Sequence, residues 1–249
     1  MKINPSNQLE LLIHGNILKN FIFLYQEEKL PNKILLKGQK GIGKSTLAYH
    51  LINFVLSKNE DFPYDIDHFK IDEKNRSFKL INNGSSPNFF LIDIQADKKN
   101  INIDQIRNII QDLNKSSLNN KPKFVLIDNS EYLNKNSINV LLKVIEEPND
   151  NIYFILVQNQ KTLLSTLTSR FIRFNINLTN KESIFIINKL INEDIHNSVN
   201  SDFINYYFSP GNIYRMIEFC DENNMDLKNI KLKDFIDILI QNNHIKKQK

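Results

Sequence analysis

Short apolar runs alternate with amphipathic stretches through the first two thirds of the chain. Ile34-Leu35-Leu36 opens the series, followed by Gly38 and an apolar-periodic segment over 46–56. Phe89-Phe90-Leu91-Ile92 is the second run. Behind it, Ile103, Ile106, Ile110 and Leu113 recur at steps of three and four and mark one face of a helix over 103–113. Phe124-Val125-Leu126-Ile127 is the third run, and the segment 136–147 after it sets Ile138, Leu141, Leu142 and Ile145 on one face. Pro148 is expected to stop that helix. Ile152-Tyr153-Phe154-Ile155-Leu156-Val157 and Phe171-Ile172-Arg173-Phe174 complete the series. Continuous apolar strands alternating with helices predict an α/β fold, a parallel sheet with helices on both faces.

The polar segment 57–86 breaks the rhythm and reads as an insertion or a long connection. Beyond about residue 175 the strands cease. The stretches 181–194, 201–208, 211–223 and 232–242 all read as helices, separated by Asn, Ser, Pro or Gly. The expected organisation is therefore an α/β domain over 1–176 and a small all-helical domain over 177–249. No internal repeat is visible, and the final KKQK reads as a frayed end.

Composition changes this picture little. The 249 residues are 41% hydrophobic and 24% charged, ordinary for a globular chain and too apolar for disorder as the main state. No apolar run approaches the roughly 20 residues of a membrane span. MKINPSNQLE lacks the apolar core of a signal peptide. The single cysteine, Cys220, excludes an internal disulfide and a thiolate zinc site, and the five histidines are scattered. These features lead to the expectation of a soluble, reduced, cytoplasmic protein with no structural zinc and no membrane partner. The net charge is +4. A basic surface suits nucleic acid, but the abundance of Asn, Ile and Lys equally fits A/T-rich codons, so charge leaves both readings open.

The chemistry begins with GQKGIGKST, Gly38 to Thr46, which fits G-x-x-x-x-G-K-[ST] with a strand before it and a helix after it. Gly38, Gly41 and Gly43 let backbone N–H groups turn inward around phosphate oxygens, where a Cβ would obstruct the approach. Lys44 is placed to neutralise the β/γ-phosphates and Ser45 to reach Mg²⁺, with Thr46 next on the helix, whose N-terminus adds a positive dipole end. Asp128, after four apolar residues, stands as the acidic partner of such a loop and a second Mg²⁺ ligand; a helix-capping aspartate is the alternative. The next residue is Asn129. An amide orients water but takes no proton from it. Glu131 is expected to point elsewhere if the chain stays extended.

Two further strings follow in order: LLK-x-x-EEP, from Leu141 to Pro148, and TLTSR, from Thr166 to Arg170. With the P-loop, they make the chain resemble the AAA+ subunits of the bacterial DNA polymerase III clamp loader, the delta-prime branch above all. His14-Gly15, Leu30-Pro31, Ser86-Pro87-Asn88 and Ile103-Asp104-Gln105-Ile106-Arg107 support the likeness, which covers about residues 10–220.

The resemblance implies a RecA-like AAA+ P-loop domain followed by a helical lid, and a nucleotide cofactor, ATP or ADP with Mg²⁺. Ser169-Arg170 matches the family's Ser-Arg-Cys motif, whose arginine reaches the γ-phosphate held by the neighbouring subunit. An ordinary salt-bridged arginine is the alternative from spacing alone. Phe171 stands in place of the usual cysteine, a change without consequence if that position only packs. Asn129 replaces the glutamate of the motor subunits, which favours the delta-prime branch over tau/gamma. The family's four zinc-binding cysteines are absent, so 57–88, where they would fall, is expected to be held by packing alone. Tyr214 occupies the place of a second nucleotide-sensing arginine, with Arg215 one step off, and Gln158-Asn159 stands where a first sensor falls. The family's usual third, collar domain has no counterpart before Lys249, where the chain is either a fragment or a subunit that assembles through its first two domains.

Implied partners are the tau/gamma and delta subunits, the sliding clamp and primer-template DNA bound without sequence preference. Arg107, Lys98, Lys99 and Lys115 are candidates for phosphate-backbone contact, or simply solvated charges. The expected role is a subunit that holds ATP or ADP and lends Arg170 to an adjacent ATPase site during clamp loading in replication. The alternatives are a tau/gamma-type motor or other AAA+ ATPase, and a structural subunit with an unused P-loop.

Overall fold

A computed structural model describes residues 4–95, 98–113, 119–146, 151–159, 163–205 and 209–241. By compactness the chain divides into two units. One comprises residues 1–39 and 43–176, the other 40–42 and 177–249.

In the first unit, the elements follow in the order α1 (Gly15–Gln26), β1 (Lys33–Lys37), α2 (Lys44–Ser57), α3 (Arg76–Asn82), β2 (Phe89–Ile92), α4 (Ile103–Leu113), β3 (Lys123–Ile127), α5 (Lys135–Glu146), β4 (Ile152–Gln158), α6 (Ser165–Thr168) and β5 (Ile172–Asn175). The described strands form one sheet in the order β2-β3-β4-β1-β5, every pair parallel. All of β3 is buried, as its unbroken apolar run requires. Each apolar run of the sequence becomes a strand within a residue or two of its limits. Pro148 lies outside the described residues; α5 is described to Glu146.

Register carries functional weight. Ile92 pairs with Ile127, Ile127 with Leu156, and Leu156 with Leu35. The C-terminal ends of β2, β3, β4 and β1 therefore lie side by side. The residues that follow them, Asp93, Asp128, Asn159 and Gly38, share the edge where open parallel sheets bind ligands.

Helices cover the sheet. Ile106, Ile138, Leu141, Leu167 and Phe171 join Leu35, Val125, Ile127, Phe154 and Leu156 in one apolar cluster. The ring of Phe21 on α1 meets Phe174 edge-on at 4.7 Å. The segment expected to be merely periodic, α2, is instead buried on almost every side, from Leu47 through Ser57. One cause is the connection after it. Residues 57–86, the expected insertion or long connection, fold back over α2: Tyr64 lies edge-on to His50 and Phe54, and its backbone N–H donates to Ser57 Oγ at 3.0 Å.

Packing alone does not hold this region, contrary to the sequence expectation. Fully buried Asn75 accepts from Asn53 at 3.0 Å, caps α3 through the Phe78 N–H at 2.7 Å, and donates to the Phe62 carbonyl at 2.7 Å. Glu60 accepts from the Ser77 N–H and hydroxyl and from Lys121 Nζ. Burial works against its charge, yet those bonds hold its carboxyl below the usual range. A buried amide network thus joins α2, α3 and their connection.

The second unit is helical where described: α7 (Asn180–Ile191), α8 (Ile195–Ser198), α9 (Ser201–Asn205), α10 (Pro210–Glu222) and α11 (Leu232–Gln241). Thr179 and Glu182 form a reciprocal capping box that starts α7, and Asn192 ends it in the left-handed conformation. Ile187, Ile195, Phe203, Ile213, Cys220 and Phe235 make its core. Residues 40–42 belong to this unit through the Gly211 N–H, which donates to the Gly41 carbonyl at 2.9 Å. Of the helices expected over 201–208 and 232–242, residues 206–208 and 242 lie outside the described set.

Candidate phosphate-binding site

β1 delivers the chain to Gly38, whose N–H donates to the Gln158 carbonyl at 3.2 Å and anchors the loop to the end of β4. Gly41 and Gly43 then adopt φ of +83° and +89°. Only glycine takes such values without strain. Gly43 thereby turns the chain into the first residue of α2, Lys44, with Ser45 and half-buried Thr46 after it.

Lys44 is 3% exposed, and its ammonium donates to the Gly38 carbonyl at 3.0 Å, the Gln39 carbonyl at 2.5 Å and Asn159 Oδ1 at 2.9 Å. A buried ammonium must be satisfied, and here the loop itself does so. Ser45 Oγ donates to Asp128 Oδ2 at 2.6 Å, and Asp128 Oδ1 accepts from the Asn129 N–H at 2.7 Å. Burial pushes the Asp128 carboxyl above the usual range, and nearby Asp93 adds to this. The bonds from Ser45 and Asn129 and the charge of Lys44 oppose it without prevailing. A buried carboxylate of this kind gains from a cation. The pair of hard oxygens, hydroxyl and carboxylate, is a donor set that suits Mg²⁺.

The structure corrects the expectation for Glu131. Asn129 takes a left-handed φ of +51°, and residues 130–132 form a 3₁₀ turn, so the chain does not stay extended. Ser130, buried inside that turn, ties it to β4 through the Val157 carbonyl at 2.9 Å. Glu131 is carried back to the sheet edge. Its Oε1 accepts from Asn159 Nδ2 at 2.8 Å, and its Oε2 from the Asn159 N–H at 3.2 Å. Asn159 Nδ2 also donates to Asn129 Oδ1 at 3.1 Å, and Asn129 Nδ2 to Asp93 Oδ1 at 2.8 Å.

One network therefore joins the ends of β2, β3 and β4 to Lys44. Sequence reasoning missed Asp93, although the same signal was present: a carboxylate directly after a four-residue apolar run, as at Asp128.

The other candidates of the first unit, Arg170, Ser169, Arg107, Lys98 and Lys99, take no part in this network. Arg170 follows α6 at the surface, where its guanidinium donates to the Thr166 carbonyl and to Glu146 Oε1, both at 2.5 Å. Ser169 Oγ donates to the same Thr166 carbonyl at 3.3 Å. Phe171 turns inward and is 7% exposed, so that position does pack. Arg107 is exposed on α4 and faces Asp104 at 3.5 Å, while Lys98 and Lys99 are exposed. Lys115 lies outside the described residues, as do Glu147 and Pro148. On α10, Tyr214 is half-buried and Arg215 exposed. No helix among the described residues is long and apolar enough to cross a membrane. No group of three or more His, Cys, Asp and Glu side chains among them is arranged to hold a metal.

A family model described as "DNA polymerase III, delta subunit" matches residues 13–180. The chain is 29% identical over 171 residues to DNA polymerase III subunit delta' of Buchnera aphidicola subsp. Baizongia pistaciae, covering 66% of this chain and 49% of that protein. It is 28% identical over 237 residues to DNA polymerase III subunit gamma of Buchnera aphidicola subsp. Schizaphis graminum, covering 92% and 63%. The chain thus spans about half the length of the delta-prime relative it matches. Among solved structures, the RuvB Holliday junction branch migration motor of Thermotoga maritima superposes with a TM-score of 0.50 at 18% identity, over 91% of this chain and 70% of that one. That likeness shows the fold, an AAA+ α/β sheet with helices.

Proposed function

The chain belongs to the DNA polymerase III delta-subunit family, and from that membership we propose that it is a clamp-loader subunit that holds ATP or ADP with Mg²⁺ and lends Arg170 to a neighbouring ATPase site. The observation that carries the nucleotide half is the 2.6 Å bond from Ser45 to Asp128, which joins the P-loop to the acidic strand end. Backbone N–H groups of Gly41 to Lys44 would cradle the phosphates, Lys44 would leave its carbonyl partners to neutralise them, and Ser45 and Asp128 would hold the metal, whose charge would offset that of the phosphates. The unit over 177–249 acts as the lid. Partners are tau/gamma-type and delta-type subunits, the sliding clamp and primed DNA, the last held through phosphate contacts that include Arg107.

Arg170 supplies its guanidinium in trans. Exposure and the surface pair with Glu146 favour this: the guanidinium is presented at the surface, oriented by the Thr166 carbonyl and Glu146, and its fork can exchange a carboxylate for a phosphate. In a complex reconstituted with gamma-type and delta-type subunits, Arg170→Ala lowers ATPase activity by about 10²-fold or more and leaves nucleotide binding by this chain intact. Unchanged ATPase activity in that complex rules out the finger.

A second reading, a gamma-type motor, has one observation in its favour: Glu131 brings a carboxylate to the sheet edge. Its two oxygens are engaged by Asn159, however, and Asn129 cannot act as a base. Binding without fast hydrolysis follows better from these contacts.

A further inference from the structure

Asn159 has one carboxamide and two kinds of neighbour. On one side are acceptors, Glu131 Oε1 at 2.8 Å and Asn129 Oδ1 at 3.1 Å; on the other is a donor, the Lys44 ammonium at 2.9 Å. A carboxylate only accepts and an ammonium only donates, so the reverse orientation sets donor against donor and acceptor against acceptor. Asn129 is itself fixed, because its Nδ2 donates to Asp93 Oδ1 at 2.8 Å. The Glu131 carboxylate grips the same residue a second time through its backbone N–H.

We propose that Glu131 is a positioning residue: it holds the Asn159 carboxamide with its oxygen toward the P-loop lysine and so biases the site toward nucleoside diphosphate over triphosphate. The reasoning concerns what Asn159 offers an arriving ligand, and it rests on the nucleotide-binding reading above. With its NH₂ committed to Glu131 and Asn129, Asn159 turns an acceptor toward Lys44 and toward any phosphate that Lys44 meets. A terminal phosphate carries only acceptor oxygens, so this end of the amide repels it. The same oxygen keeps Lys44 folded against the carbonyls of Gly38 and Gln39. A diphosphate has only to draw Lys44 off those carbonyls; a triphosphate, with one more acceptor group to seat, must break the Asn159 contact as well.

Two readouts on the full chain test the proposal. In the absence of nucleotide, acylation of lysines by a small amine-reactive reagent is followed by mass spectrometry in wild type, Glu131→Ala and Glu131→Gln. Lys44 labels several-fold faster in Glu131→Ala and by a smaller factor in Glu131→Gln, which keeps the volume and one acceptor. Lys123 is the internal control, since it is buried with its ammonium on the Leu113 carbonyl at 2.8 Å. General loosening speeds both lysines, whereas release of Asn159 speeds Lys44 alone. With Mg²⁺, the affinity for ATP relative to ADP rises about tenfold in Glu131→Ala, the worth of one hydrogen bond regained to a charged group. Unchanged Lys44 labelling overturns the proposal, as does an unchanged ATP-to-ADP ratio in a chain that binds both. If wild type binds neither nucleotide, the proposed function fails, and the labelling still decides whether Glu131 positions Asn159.

Discussion

Ser45 Oγ donates to Asp128 Oδ2 across 2.6 Å, so the first turn of α2 and the end of β3 are bonded to each other. Burial and nearby Asp93 keep the Asp128 carboxyl above its ordinary range, which means the folded chain carries that charge at a cost. Asp128→Asn removes the charge and keeps an acceptor for Ser45. Expected are a higher melting temperature without ligand, by about 2–4 °C for each kcal/mol regained, and loss of the Mg²⁺-dependent part of nucleotide affinity, about tenfold or more. Thermal melts with and without Mg-nucleotide check both. A variant that melts lower and still binds Mg-nucleotide fully contradicts the assignment.

His50 gives a pH dependence with a definite sign. It is fully buried, its Nε2 faces the Gln8 carbonyl at 3.1 Å and its Nδ1 faces the Tyr64 hydroxyl at 2.8 Å. A carbonyl only accepts, so Nε2 carries the proton and Tyr64 donates to Nδ1. Burial holds the imidazole neutral and pushes its pKa down to about 4, the Gln8 carbonyl opposing only weakly. Between the unfolded value near 6.5 and the folded value, the unfolded chain binds the extra proton. Stability is therefore full above about pH 6.5 and falls toward pH 4, by roughly 3 kcal/mol over the window. Glu60, depressed below its ordinary value, adds a further loss at lower pH. Denaturant melts at pH 7.0 and 4.5 measure the fall, and His50→Gln flattens it.

Gly43→Ala isolates backbone strain. A Cβ there would lie 3.7 Å from His14 Cδ2, an ordinary contact, so space is not the obstacle. The φ of +89° is. The substitution costs about 1–2 kcal/mol and weakens nucleotide binding, because relief of strain means a different loop. Equal stability of the two proteins would remove the reason given for this glycine.

Neighbouring Phe171 and Arg170 separate packing from function. Phe171→Ala opens a cavity beneath the sheet and costs about 3–5 kcal/mol. Arg170→Ala breaks one exposed ion pair and costs about 1 kcal/mol or less. Chemical denaturation of the two variants is expected to differ by that margin.

The sheet was legible in the sequence because its strands read as unbroken apolar runs, buried throughout in β3 and nearly so in β1 and β4; even the half-exposed β2 matches the run 89–92 to the residue. The glycine turn before α2 was legible because Gly41 and Gly43 stand where the backbone needs positive φ. What escaped was whatever depended on a single dihedral angle or on amide partners. Nothing in the string Asp-Asn-Ser-Glu announces that Asn129 turns left-handed and swings Glu131 back to Asn159. In the segment 57–86 the apolar residues are sparse, and the scattered Asn75, Ser77 and Glu60 that hold it look like surface until their partners are known.

The most direct measurement is equilibrium binding and turnover of Mg-ATP and Mg-ADP by the chain, with Lys44→Ala as control. Expected is binding that Lys44→Ala abolishes, with negligible hydrolysis, since Asn129 offers no base and Glu131 is held by Asn159. Binding that survives Lys44→Ala, or steady turnover by the wild-type chain, contradicts the assignment of a nucleotide-holding subunit whose arginine acts on its neighbour.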